Sequence, residues 1–147
     1  MMEFKPADNA ALLLLQDWFT DPILRRWYCP PTPAWFEYVI NDPNVFCWLA
    51  YENDSPIGLI QLDIENDRGS IGYLVNPELR RRGFGKRMIV EFLQCAQIPP
   101  IKRIIAEMEE ENVASVRCAI TAGFSKDYDP PSEKGFVRLS ISLDQKE

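Results

Sequence analysis

Apolar side chains occupy every second position in two parts of the chain, residues 60–65 and 137–143. This alternation is typical of β-strands that bury one face and leave the other polar. Denser apolar runs, rich in β-branched or aromatic residues, predict further strands over residues 45–51, 70–75 and 103–108. Residues 2–7 could form a short first strand. Turn-forming residues at 52–56 and 66–69 separate three consecutive strands, so the sequence predicts an antiparallel meander.

The apolar spacing becomes helical after residue 86, with apolar side chains recurring at intervals of three and four up to residue 96. Further helices are predicted over residues 10–19, 34–40 and 114–122. Asp8 or Asn9 can cap the first of these, and Gly123 is suited to end the last. The order of elements predicts one α+β domain over residues 1–147, with a central mixed, mostly antiparallel sheet flanked by helices.

Charge and residue usage exclude several classes of function. The formal net charge is −6, which argues against a nucleic-acid partner, because phosphate binding needs an excess of Lys and Arg. The same charge is compatible with a cationic substrate. The chain has no histidine, so a Ser-His-Asp or Cys-His arrangement is excluded and any general base must be another group.

The four cysteines are spaced as free thiols are, and not as metal ligands. None forms a C-x-x-C pair, so the sequence predicts no metal site and mostly buried thiols in a reducing compartment. No terminal segment resembles a secretion signal, and the longest apolar run near the N-terminus is too short to span a bilayer. We therefore expect a cytoplasmic protein with no membrane partner.

Residues 73–86 join a predicted strand to a predicted helix and carry the clearest chemical signal. A helix N-terminus presents unpaired N–H groups and a partial positive charge, which together attract phosphate. Gly83 and Gly85 would let a pyrophosphate approach the main chain. Four cations surround this point on an otherwise acidic chain: Arg80, Arg81, Arg82 and Lys86. A solvated basic turn remains the alternative interpretation.

This segment resembles the signature of the GNAT superfamily of acyl-CoA N-acyltransferases, Arg/Gln-x-x-Gly-x-Gly/Ala, which is matched by Arg80, Gly83 and Gly85. Two further family features follow the same order, namely Pro56-Ile57-Gly58 in a hairpin and Asn112-x-x-Ser115 opening a helix that ends at Ala122-Gly123-Phe124. The resemblance covers residues 45–125. It implies the GNAT fold, acetyl-CoA as co-substrate, no metal, and transfer of an acetyl group to an amine.

The resemblance also implies individual roles. Main-chain amides between Arg81 and Lys86, Phe84 included, would hold the CoA pyrophosphate. Leu74 and Val75 would pair their main chain with the pantetheine arm, as an added strand does. Asn112, with Ser115 in the same motif, would contact the pantetheine or thioester region, although Asn112 could also be a plain helix cap. The family also allows a homodimer.

The chain departs from the family at the usual proton donor, a tyrosine four residues before the helix-ending glycine, because Ala119 stands there. Water, Tyr73 or Tyr128 could donate in its place, and a thiolate is in any case a tolerable leaving group. The base is open among Glu107, Glu109, Asp63 and Glu65; Glu107 is preferred because its strand would flank the thioester. Residues 107–111 could equally form a solvated acidic edge.

An aromatic stretch, residues 18–28, lies where members of this family shape the acceptor pocket, although such a stretch is more often part of the core. The acceptor could be a small molecule similar to an aminoglycoside, polyamine or amino acid, or a protein N-terminus. Because Ala119 replaces the tyrosine, a catalytically weak acyl-CoA-binding or sensing module is the alternative function.

Overall fold

The computed structural model describes residues 1–95, 97–127 and 133–143. Its seven strands form one sheet in the order β1-β2-β3-β4-β5-β7-β6. The strands are β1 (Glu3–Pro6), β2 (Val45–Glu52), β3 (Ser55–Glu65), β4 (Arg68–Val75), β5 (Arg103–Glu109), β6 (Ser125–Lys126) and β7 (Phe136–Ser142). The helices are α1 (Asn9–Trp18), α2 (Pro22–Trp27), α3 (Pro33–Asn41), α4 (Phe84–Leu93) and α5 (Val113–Thr121).

Strands β2, β3 and β4 form the antiparallel meander predicted from their turns. The sheet is mixed because β4 and β5 run parallel, while the other neighbouring strands are antiparallel. The α+β class and the mixed, mostly antiparallel sheet are therefore confirmed. The predicted strand and helix bounds agree with the observed ones to within three residues, except that β3 begins at Ser55, five residues before its predicted start, and that β6 was not predicted. Ala96, the predicted end of α4, lies outside the described residues.

The two faces of the sheet carry different apolar layers. Helices α4 and α5 cover one face, where Phe92 packs against Phe4 and Trp48 at ring-centroid distances of 5.6 and 5.1 Å. Helices α1 to α3 cover the other face and bury Leu15 and Leu24 against β2, β3 and β4. Alternation in β3 therefore separates two buried layers, and the polar positions of that strand lie beneath α1 to α3.

Helix α2 is the helix that the periodicity missed, because six residues are too few to display a helical repeat. Its local signal is Asp21 followed by Pro22, since Asp21 accepts hydrogen bonds from the N–H groups of Ile23 and Leu24, both at 3.0 Å. Proline suits the first helical position because it lacks an N–H. Among the described helices, none is long and apolar enough to cross a membrane.

Strands β4 and β5 pair over only three residues of each strand, up to Ser70 and Ile105. Beyond that point they form no further pairs within the described residues, although β4 continues to Val75 and β5 to Glu109. We call the space between these unpaired halves the β4–β5 gap. It leaves main-chain groups of both strands free for other partners.

Candidate active site at the gap between β4 and β5

The loop from β4 to α4 is built to leave main-chain amides unused. Gly83 stands at the N-cap of α4 with φ of +79°, and no side chain caps the helix. Arg81 also has a left-handed backbone, with φ of +63°, which costs a non-glycine residue free energy. A helix start that has free N–H groups and follows two residues of left-handed conformation is an arrangement that binds anions.

The four cations of this loop differ in exposure and in hydrogen bonding. Arg81, Arg82 and Lys86 are exposed and have no carboxylate within ion-pair distance in the described part of the chain. Arg80 instead donates two hydrogen bonds to Asp21 at the start of α2, one of them at 2.9 Å. Its guanidinium is therefore bound within the protein, while the other three cations face solvent. Phe84, the first residue of α4, lies half-buried beneath Arg87, 5.5 Å from the ring centroid.

Two glycines of the motifs allow close packing around the strand end. A Cβ on Gly85 would stand 3.1 Å from Cys118 Sγ and 3.3 Å from a methyl carbon of Val75. A Cβ on Gly58 would collide with the carbonyl oxygen of Leu74 and stand 2.7 Å from Met88 Sδ. The glycines therefore hold α4 against α5 and against the end of β4.

The same contact fixes which main-chain groups face the gap. The carbonyl of Leu74 points at β3, and the N–H of Asn76 donates to Ile57 of β3 at 2.8 Å. Because main-chain groups alternate between the two edges of a strand, those of Tyr73 and Val75 face the gap. Of the two residues predicted to pair with pantetheine, Val75 is directed at the gap, whereas Leu74 is directed at β3.

Two tyrosines meet in the β4–β5 gap. The hydroxyl of Tyr28, from the segment after α2, donates to the carbonyl of Tyr73 at 2.7 Å. The hydroxyl of Tyr73 donates to the carbonyl of Ser115 at 2.7 Å and accepts from Ser115 Oγ at 3.0 Å. Burial raises the pKa of both phenols, although hydrogen bonding to Ser115 lowers each in part. Both side chains therefore remain protonated at neutral pH.

Asn112 is the N-cap of α5 and is buried, with its Oδ1 accepting from the N–H of Ser115 at 3.4 Å. Burial raises the pKa of Tyr28, and the polar side chain of Asn112 nearby lowers it in part. The helix-cap interpretation of Asn112 is confirmed, and a contact with the pantetheine arm remains a prediction. Ala119 is fully buried on the same helix and offers no proton.

Two cavities adjoin the gap and share part of their lining. The large cavity, about 540 Å³, lies beneath α1 to α3, and the small cavity, about 210 Å³, lies between β4, β5 and the start of α5. Four residues line both: Tyr28, Ile71, Gly72 and Tyr73. A Cβ added to Gly72 would meet no atom within 4 Å, so the floor at this junction is open.

The carboxylates proposed as base lie in different places. Glu107, on β5, lines the small cavity and forms an ion pair with Arg138 at 3.2 Å, with 46% of its side chain exposed. Glu109 lines the small cavity as well, and Asp63 lines the large cavity. Glu65, Glu110 and Glu111 are exposed and line neither of these two cavities. The acidic run is thus divided between the small cavity and solvent.

The described residues contain no group of three or more His, Cys, Asp or Glu that could hold a metal ion. All four cysteines are free thiols, but only Cys47 is buried and Cys29 is exposed, so the prediction of mostly buried thiols was wrong. Burial, with a smaller contribution from the charge of Asp63, raises the pKa of Cys47 to about 12. Tyr128, one predicted proton donor, lies outside the described residues.

The family model of the GNAT acetyltransferase domain matches residues 1–125, which is most of the chain. The chain belongs to the GNAT acetyltransferase family. A curated relative, the uncharacterized N-acetyltransferase YfmK of Bacillus subtilis, is 28% identical over 140 residues, which cover 94% of this chain and 95% of YfmK. The family membership predicted from the motifs is confirmed, and the chain is an acetyl-CoA-dependent N-acetyltransferase.

Solved GNAT structures share the fold at low identity. An aminoglycoside acetyltransferase, AAC(6')-Ib, in complex with coenzyme A and kanamycin, has a TM-score of 0.81 and 19% identity over 97% of this chain and 95% of its own. A spermidine N-acetyltransferase from Vibrio cholerae, in complex with CoA and spermine, has a TM-score of 0.79 and 17% identity over the same shares. These likenesses confirm the GNAT fold.

Sequence reasoning missed two residues that the structure brings to the centre of the site. Tyr28 was part of an aromatic stretch whose role was open between core and pocket, and the structure divides that stretch, since Trp18 is buried in the core while Tyr28 lies in the gap. Nothing in the sequence indicated Gly72, because the space over this strand position is empty only if no distant side chain packs into it. The signal that could have located Tyr28 was the helix cap formed by Asp21 and Pro22, because this cap sets the start of α2, the helix directly before Tyr28.

Proposed function

We propose that this enzyme transfers the acetyl group of acetyl-CoA to the primary amine of a small molecule that enters the large cavity. The observation that carries the proposal is the junction of the two cavities at Tyr28, Gly72 and Tyr73. This junction connects the small cavity, at the β4–β5 gap, with the large cavity, beneath α1 to α3. Two substrates approaching from these sides would meet at one point, which is the requirement for direct transfer.

The fit to acetyl-CoA rests on the loop before α4. Its free amides and exposed cations suit a pyrophosphate, and the residues that would hold it are Arg81, Arg82, Gly83, Phe84, Gly85 and Lys86. Val75 and Tyr73 have main-chain groups directed at the gap, and Asn112 and Ser115 line the small cavity beside them. Acetyl-CoA supplies the acyl group as a thioester, which an uncharged amine can attack.

Two side chains handle protons in this proposal, one in the small cavity and one at the junction. The acceptor arrives as an ammonium ion and must lose a proton, and we assign that proton to Glu107, whose carboxylate lines the small cavity. Tyr28 holds a proton at the junction itself, on a phenol whose pKa is raised by burial. In this proposal Tyr28 donates its proton to the departing CoA thiolate, a role that Ala119 cannot perform. The free thiols agree with a reducing cytoplasmic setting, which we also propose.

The test is amine-dependent release of free thiol from acetyl-CoA, across aminoglycosides, polyamines, amino acids and short peptides. We expect release with one class of small amines. Glu107→Gln should lower kcat on the order of 10²-fold while leaving acetyl-CoA affinity unchanged. Glu110→Gln, which removes an exposed carboxylate near the end of the same strand, is the matched control and should have no effect. Release with peptides alone would refute the small-molecule acceptor.

A further inference from the structure

The large cavity is mainly apolar but contains a single formal charge among the described residues that line it. That charge belongs to Asp63, on the face of β3 that lies beneath α1 to α3. The remaining walls include Phe19, Trp35 and Leu59 together with two prolines, Pro30 and Pro31. A half-buried carboxylate in such surroundings has lost part of its hydration and gains from a cationic partner.

The carboxylate of Asp63 is held in place by neutral groups. Gln61 Nε2 donates to one oxygen at 2.9 Å, and the hydroxyl of Tyr38 donates to the other at 3.2 Å. Gln61 is itself oriented by the indole N–H of Trp35, which donates to its Oε1 at 3.3 Å. These donors fix the orientation of the carboxylate and leave its charge uncompensated.

No Lys or Arg of the described ranges forms an ion pair with Asp63. Burial is the main cause that raises the pKa of Tyr38 and of Cys47, and the negative charge of Asp63 raises both further. The large cavity therefore presents an oriented negative charge on one wall, with apolar surface around it.

The strand register gives the distance from this charge to the cavity junction. Asp63 stands opposite Ser70, and Tyr73 lies three residues further along β4. At about 3.3 Å per residue, the two points are roughly 10 Å apart along the sheet. Gly72 leaves the floor between them open, so a linear molecule can extend from one point to the other.

We propose that Asp63 binds a second cationic group of the acceptor, and that the acceptor is an elongated diamine or polyamine. Its reactive amine lies at the junction of the cavities, its second ammonium lies against Asp63, and an apolar spacer of about 10 Å joins them. This inference rests on the proposed function, because it assumes that the acceptor enters the large cavity. It makes Asp63 a specificity-determining residue and not the base.

The experiment measures kcat/KM for a series of linear α,ω-diamines, from diaminopropane to diaminooctane, and for monoalkylamines of matched length. For the unmodified enzyme we expect activity to rise with chain length to an optimum where the two nitrogens span roughly 10 Å. The matched monoalkylamines should be poorer by about tenfold or more, since they lack the charge-assisted contact.

Asp63→Asn should raise KM for the best diamine by about tenfold or more, while kcat/KM for the matched monoalkylamine stays the same. Glu37→Gln, which removes an exposed carboxylate from α3 outside both cavities, is the control and should change neither value. Asp63→Lys should reverse the preference and favour an ω-amino acid of the same length, since its terminal carboxylate would then meet a cation.

Equal kcat/KM for diamines and monoalkylamines in the unmodified enzyme would overturn the inference, whether or not the variants fold, and would leave the proposed acetyl transfer intact. An equal loss of kcat for both amines in Asp63→Asn would also overturn it, because that result makes Asp63 a base. If no amine releases thiol while acetyl-CoA still raises the melting temperature, the proposed function itself has failed.

Discussion

The guanidinium of Arg80 is bound to the carboxylate of Asp21, which also caps helix α2. Arg80 Nη1 donates to Asp21 Oδ1 at 2.9 Å, and Oδ2 accepts from the N–H groups of Ile23 and Leu24 as well as from Arg80. One carboxylate thus connects the loop before α4 to the helix that precedes Tyr28. The motif arginine, one of the four cations that the sequence pattern placed around a phosphate, is hydrogen-bonded to the cap of α2.

This ion pair gives a pH-dependent contribution to stability. The hydrogen bond from Arg80 is the main cause that lowers the pKa of Asp21 to about 2, from 3.8. A carboxyl group with a lowered pKa in the folded state stabilises fully above its unfolded value and loses that contribution as the pH falls from about 4 to 2.

Asp21→Asn retains a good helix cap and removes the charge, so it isolates the ion pair. We expect it to lower the free energy of unfolding by about 1–2 kcal/mol at pH 7, after allowing for screening by solvent. Thermal melts from pH 7 to pH 2 should find this difference disappearing below pH 4. Asp17→Asn, an exposed carboxylate on α1, is the control; a difference independent of pH would contradict the interpretation.

Gly72 offers a test of the cavity junction that need not disturb the fold. A Cβ there meets no atom within 4 Å, and valine is favoured in strands, so Gly72→Val should melt at nearly the native temperature. Its methyl groups would stand in the shared floor of both cavities and lower kcat/KM by about tenfold or more.

Gly58→Val is the contrasting variant, because its side chain would collide with Leu74 and Met88 and should destabilise the fold. Steady-state kinetics beside thermal melting separate the two effects. Unchanged kcat/KM in a folded Gly72→Val enzyme would place the reaction elsewhere.

The phenol of Tyr28 can be removed without removing its ring. Tyr28→Phe should lower kcat on the order of 10²-fold if the hydroxyl supplies a proton at the junction. Since burial raises the pKa of Tyr28, its contribution should persist throughout the neutral range and be lost only above pH 10, its ordinary value. The pH profile of kcat, compared between the native enzyme and the variant, measures this.

A structural role predicts a different result for the same variant. Loss of the hydrogen bond to the Tyr73 carbonyl alone would lower the free energy of unfolding by about 1 kcal/mol and leave kcat unchanged. Tyr51→Phe, on β2 outside both cavities, controls for removal of a phenol from the same apolar layer.

The exposed cations before and within α4 decide between a phosphate cradle and a solvated basic turn. Replacing both Arg82 and Lys86 by Gln should weaken CoA binding about tenfold or more and reduce its dependence on salt. Arg117→Gln, an exposed cation on α5 without an ion pair in the described chain, should have no effect. Equilibrium titration at two ionic strengths measures this, and unchanged affinity in the double variant would favour the solvated turn.

Local patterns determined much of this protein. Alternation in β3 and β7 and the helical spacing in α4 are set by neighbours a few residues apart, so the sequence alone predicted them and the meander between β2 and β4. The glycine motifs identified the family, because close main-chain packing leaves no room for a Cβ at Gly58 and little room for one at Gly85.

Tertiary structure decided the arrangement of residues around the β4–β5 gap and the large cavity. Tyr28 and Tyr73 are 45 residues apart and meet only because α2 delivers one phenol into a gap opened by diverging strands. Asp63 has the same alternating pattern whether the polar face of β3 meets solvent or a cavity, and only the placement of α1 to α3 distinguishes the two. Periodicity indicates which face of a strand a residue occupies, whereas a cavity over that face depends on how distant elements of the chain pack against it.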